Sequence, residues 1–143
     1  MKVLSDRAHG YLDYGAVVYL AFAPTVFGFS GAPAAVFYVL AMVHLSLALS
    51  TAYTLGLVRV IRFRWHGAVE GVVAALLATM PWLAQYSDVP AARNVSVATA
   101  IGIAIVATLT DYRHVRPPIY ERALAEEPDT ENPSNDRLPE PRP

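Results

Sequence analysis

Four apolar stretches of about twenty residues each, at 10–29, 34–53, 67–86 and 94–112, dominate this chain of 143 residues. As helices rising ~1.5 Å per residue, each is long enough for the ~30 Å hydrocarbon core of a bilayer. They are apolar nearly all round, which a small water-soluble domain has no use for. A strand reading would need a closed barrel with alternating polar residues, and that alternation is absent. The sequence therefore predicts an all-α, four-helix transmembrane bundle. The composition agrees, with 55% apolar and 16% charged residues. The absence of Cys removes disulfides, thiolate metal sites and cysteine nucleophiles. A net charge of −1 provides no attraction for nucleic acid.

The connections set an orientation. Ser30-Gly31-Ala32-Pro33 and Ser87-Asp88-Val89-Pro90 are short turns with a proline placed to open the next helix. The middle connection carries Arg59, Arg62 and Arg64; Lys2 and Arg7 precede the first helix, and Arg113 and Arg116 follow the fourth. By the bias of Lys and Arg toward the cytoplasm, the middle loop and both termini are expected inside, with Trp65 at the inner boundary and Trp82 and Tyr86 at the outer one. The expected location is a plasma membrane, crossed several times. The first stretch is read as a span rather than a cleaved signal peptide, because His9 and Asp13 interrupt the approach to any cleavage site. Through Arg116 the chain has eight Lys and Arg against five Asp and Glu; after it, three against seven, with seven of the eleven prolines. Residues 117–143 are accordingly read as a disordered acidic cytoplasmic tail. The expected units are residues 1–56, a loop at 57–65, residues 66–116, and that tail.

The halves repeat at an offset of 57. His9-Gly10-Tyr11-Leu12-Asp13 aligns with His66-Gly67-Ala68-Val69-Glu70, Pro24 with Pro81, and Pro33-Ala34-Ala35 with Pro90-Ala91-Ala92. Thr51-Ala52-Tyr53 matches Thr110-Asp111-Tyr112 two residues out of that register. Each copy is a two-helix hairpin, so the copies are expected to run parallel about a pseudo-two-fold axis along the membrane normal. This arrangement of His-Gly-x-x-[Asp/Glu], a proline late in the first span and Thr-x-Tyr after the second resembles the SPW-repeat family of small bacterial integral membrane proteins. The name-giving triplet is degenerate, as Ala23-Pro24-Thr25 and Met80-Pro81-Trp82. The resemblance covers roughly residues 5–115 and implies a fold and a membrane location, but no activity.

The candidate site is a polar cluster inside the membrane. His9 and Asp13 are four apart and share a helix face, as do His66 and Glu70. Asp111, Tyr53 and Tyr112, with Thr51 and Thr110, are expected at the same depth on helices two and four. Charged groups there are costly and face the bundle interior or water. In the plainer reading each carboxylate pairs with its own histidine, a nearby Arg or a Thr and pins the hairpins together. In the sharper ones the two imidazoles and carboxylates hold a divalent ion such as zinc, iron or manganese, or relay protons. The pairing reading is the one adopted, so no metal, cofactor or catalytic residue is assigned. His44 reads as a lone mid-membrane imidazole, bonded across helices to Tyr19. Gly67 and Gly71, with Ala98 and Gly102, form small-residue faces expected to serve packing between the hairpins.

There is no phosphate loop, no His-Glu-x-x-His and no Gly-x-Ser-x-Gly. The function expected is non-enzymatic: a structural or interaction component of the plasma membrane, with lipid as solvent and a second copy or other membrane proteins as partners. The alternative is a small transporter or proton- or ion-conducting protein working through the cluster.

Overall fold

A computed structural model describes residues 3–113 and 117–126. Among them the chain is mostly helical: α1 (Asp6–Phe27), α2 (Ala32–Ser50), α3 (Phe63–Leu83), α4 (Pro90–Leu109) and a short α5 (Ile119–Glu126). Local chemistry sets the boundaries. The Ser5 hydroxyl accepts from the Ala8 N–H at 3.2 Å and opens α1, and Gly28, left-handed at φ 70°, closes it. Pro33 and Pro90 stand in the first turns of α2 and α4, where a missing N–H costs nothing.

The helices start and stop earlier than the apolar runs suggest, and for the ends of α2 and α4 the reason lies in two threonines. Thr51 and Thr110 are extended, with ψ 139° and 137°. Each donates its hydroxyl back to the carbonyl four residues earlier, Leu47 at 2.6 Å and Val106 at 2.7 Å. Their backbones leave the helix for strand pairing. Strand β1 (Thr51–Ala52) runs parallel to β2 (Ile61–Arg62), with Thr51 opposite Ile61, and Leu4 bridges to Thr110 in the same parallel sense. The segment entering α3 is thus tied to the end of α2, and the segment entering α1 to the end of α4. The expectation that Tyr53, Asp111 and Tyr112 sit on helices two and four is corrected: all three follow the threonines, outside the helices.

α1 packs chiefly on α2 and α3 on α4, and the two hairpins meet through smaller α1–α4 and α2–α3 contacts. The apolar core fills the end near the 28–31 and 84–89 turns, around Leu20, Phe37, Leu77, Ala92 and Val95. The other end buries polar groups: His9, Asp13, His66, Glu70, Thr51 and Thr110. Val39, Met42, Val72, Ile101 and Ile105 face outward. Charge inside and branched aliphatics outside is the reverse of a water-soluble domain, and it suits a chain whose surroundings are hydrocarbon.

Three helices, α2, α3 and α4, are long and apolar enough to cross a membrane. α1, though 22 residues long, is not among them: Asp13, Tyr11, Tyr14 and Tyr19 lower the hydropathy of its most apolar stretch. A second difference concerns the tail. Residues 119–126, read as disordered, form α5, which the Ile119 N–H ties to the Arg59 carbonyl at 3.2 Å and Glu121 ties to Arg62. Residues 127–143 of the expected tail lie outside the described residues.

Candidate metal centre

Each His-Gly step lies in the first turns of a hairpin's leading helix, and both its residues have a defined task. The glycine makes room for a tyrosine. A Cβ on Gly10 would stand 2.5 Å from the Tyr53 ring, and one on Gly67 2.6 Å from the Tyr112 ring. Each ring therefore lies on the glycine of its own hairpin. The histidine reaches to the other hairpin. His9 Nδ1 is 2.8 Å from Thr110 Oγ1, and His66 Nδ1 is 2.8 Å from Thr51 Oγ1.

Those two hydrogen bonds decide the tautomer. Both threonine protons are already given to helix carbonyls, so each hydroxyl can only accept from the imidazole. Nδ1 is therefore the protonated nitrogen, and Nε2 of each ring points inward. The two Nε2 atoms are 3.4 Å apart. His9 Nε2 is 3.3 Å from Asp13 Oδ1 and 3.4 Å from Glu70 Oε2. His66 Nε2 is 3.5 Å from Asp13 Oδ2 and 3.7 Å from Glu70 Oε1. Each imidazole thus faces both carboxylates, not only the one on its own helix, and the expected pairwise arrangement gives way to one four-membered cluster. All four residues are buried, and one ligating atom from each lies within 4.8 Å of the others.

Phe63 closes the cluster at the helix ends, its ring edge-on to His9 at 5.1 Å and stacked with Tyr53 at 5.6 Å and 7°. Tyr112 donates to Glu70 Oε2 at 3.0 Å. Burial and the adjacent Glu70 carboxylate hold the Tyr112 phenol above its ordinary pKa, so it remains a donor. The matching bond in the other half is not made: the Tyr53 hydroxyl and Asp13 Oδ2 are both buried without a hydrogen-bond partner. An orphaned carboxylate oxygen in the interior is costly and marks a place where a cation fits.

Ligand type agrees with that, and each imidazole Nε2 has an oxygen of both carboxylates 3.3–3.7 Å away. Four donors about 2.0–2.1 Å from a tetrahedral ion are ~3.3–3.5 Å from one another. Inward Nε2 atoms backed by a hydrogen bond at Nδ1 are the usual outer-shell support of a metal-binding histidine. Two imidazoles with two carboxylates suit zinc, iron or manganese. The charges also balance, since two carboxylates offset one divalent ion and the imidazoles stay neutral.

The remaining expected site residues fall elsewhere. Asp111 accepts from the Arg113 N–H at 3.0 Å and is not one of the four converging residues. His44 is not alone: its Nε2 lies 3.5 Å from Asp13 Oδ1, while Tyr19 bonds Thr99 at 3.0 Å instead. The small-residue faces are only partly used inside. Gly67 seats Tyr112, but Cβ atoms at Gly71 and Gly102 would meet nothing within 4 Å, and Ala98 is exposed. Phe63, packed over the cluster, was not singled out from the sequence, where it reads as one more apolar residue in an Arg-rich loop. No protein-family model, curated protein or solved structure matches the chain.

Proposed function

We propose that this chain is a multi-pass protein of the bacterial plasma membrane that binds one divalent transition-metal ion at His9, Asp13, His66 and Glu70. Its four long helices form a transmembrane bundle of two tandem hairpin copies of the SPW-repeat kind, with both termini and the 57–65 loop cytoplasmic. The Arg bias of that loop supports the orientation. The repeat reading is supported by the matched contacts His9–Thr110 and His66–Thr51, and Gly10–Tyr53 and Gly67–Tyr112. The carrying observation for the metal is the inward aim of both Nε2 atoms onto the two carboxylates, 3.3–3.7 Å away. With two ligands from α1 and two from α3, the ion joins the hairpins. This gives the architectural role expected from the sequence a definite agent.

The test is metal content. Protein purified in detergent without chelator carries about one zinc, iron or manganese per chain, and His9→Gln with His66→Gln carries none. A monodisperse, helical wild-type protein that stays metal-free after incubation with all three ions would sink the proposal.

A second reading, proton or ion transfer, is favoured by His44. Its contact with Asp13 extends the polar groups from the cluster into α2. Proteoliposomes with a pH gradient test it: flux that is lost in Asp13→Asn with Glu70→Gln supports the reading, and unchanged flux rejects it.

A further inference from the structure

A groove of about 410 Å³ runs between α1 and α4, and its floor is the centre described above. Its walls follow two helical stripes, Tyr11, Gly15 and Tyr19 on α1 and Ala98, Gly102 and Val106 on α4. Residues four apart stand one above another on a helix face, so each stripe is a continuous wall. Gly15 and Gly102 widen the groove, since a Cβ at either would meet nothing within 4 Å. Asp13, Glu70 and His44, all buried, line the floor. The volume falls in the ~300–1,000 Å³ range of small-molecule sites, which are apolar with a few convergent polar groups. The lining residues run along α1 from 11 to 19 and along α4 from 98 to 106, so in a membrane-embedded chain the groove flanks the hydrocarbon phase.

From this geometry we infer that the groove binds a lipid-phase amphiphile with a neutral hydroxyl head, and that this head docks at Asp13 and Glu70. The choice of head rests on the metal reading. An ion that offsets both carboxylates leaves a neutral centre, which still offers carboxylate oxygens to a hydroxyl donor but no net charge to attract an ammonium. A hydrocarbon without a head would leave the floor groups with no new partner and would gain nothing over bulk lipid. The apolar walls take the chain, and the floor discriminates among heads.

The experiment is photolabelling of the full chain in lipid nanodiscs. The probe is a hexadecanol bearing a diazirine beside the hydroxyl, and mass spectrometry maps the adducts. Adducts are expected on Asp13, Glu70 or His44, which bulk lipid does not reach. They are expected to fall at least tenfold in Gly15→Leu with Gly102→Leu, whose Cβ atoms meet nothing within 4 Å and whose side chains extend into the groove, with metal content unchanged. Three results would overturn the inference: adducts confined to outward residues such as Val39 and Val72, floor adducts undiminished in the filled variant, or equal floor labelling by the same chain without its hydroxyl. If an ammonium-headed probe labels the floor in place of the alcohol, the neutral-head inference fails. Metal content, measured on the same samples, reports separately on the metal reading.

Discussion

Thr51 Oγ1 lies 2.8 Å from Nδ1 of His66 and gives its own proton to the Leu47 carbonyl at 2.6 Å. The hydroxyl is therefore an acceptor with one free direction, and it holds the imidazole with Nε2 toward the carboxylates. Removing it leaves the four ligands in place but frees the ring to rotate or change tautomer. Thr51→Val is expected to weaken metal binding by about 10–100-fold, the usual effect of losing such an outer partner. Thr51→Ser should restore it. Titration against a chromophoric chelator reads both, and equal affinity in Thr51→Val and wild type would mean that the hydroxyl does not set the ring.

The close approach of Gly67 to Tyr112 makes a stability prediction. A Cβ there would be 2.6 Å from the ring, and the phenol is held in place by Glu70. Gly67→Ala should cost about 1–3 kcal/mol through overpacking, and Gly10→Ala a similar amount against Tyr53. Gly71→Ala, one turn further along α3, meets open space and should be neutral or gain up to ~1 kcal/mol from helix propensity. Thermal unfolding in detergent separates them. Equal midpoints for Gly67→Ala and Gly71→Ala would show that the ring yields freely.

These contacts mark the limit of what the sequence makes legible. The four helices are visible because hydrophobic runs of that length have few other solutions. The histidine and carboxylate positions are visible because a spacing of four shares a face. What stays hidden is which partner each residue meets. His9 and Asp13 look like a self-contained pair, yet His9 is held by Thr110, 101 positions away, and faces Glu70 as well. His44 has no acidic counterpart at its depth in the sequence repeat, but helix crossing brings it to Asp13. The ends of α2 and α4 are missed for a related reason. Thr51 and Thr110 continue an apolar run, and only strand pairing with Ile61 and Leu4 shows that the backbone has already left the helix. Long-range pairing of this kind leaves no local periodicity to read.

α5 is held where a disordered tail was expected, by Glu121 on Arg62 and the Ile119–Arg59 backbone bond. The ion pair raises the pKa of the exposed Arg62 guanidinium through its hydrogen bond to Glu121. Exposed pairs contribute little to global stability but can position a local segment. Glu121→Gln should therefore leave the unfolding midpoint and metal content unchanged. It should also speed amide hydrogen exchange across 119–126 several-fold. Unaltered exchange would assign the docking of α5 to its backbone bond alone.

His44 separates the two functional readings. Its Nε2 is 3.5 Å from Asp13 Oδ1, yet it is not among the four residues whose ligating atoms converge. It is needed to extend the polar path into α2 and is not needed to hold an ion. His44→Phe should keep the metal stoichiometry of wild type, because His9, His66 and Glu70 retain their outer bonds to Thr110, Thr51 and Tyr112. If the protein moves protons, the same variant should lose most of the flux driven by a pH gradient in proteoliposomes. Loss of the metal in His44→Phe would make the imidazole a fifth ligand and redraw the centre. Retained metal with undiminished flux would remove His44 from any proton path and leave the ion's role as the tie between α1 and α3.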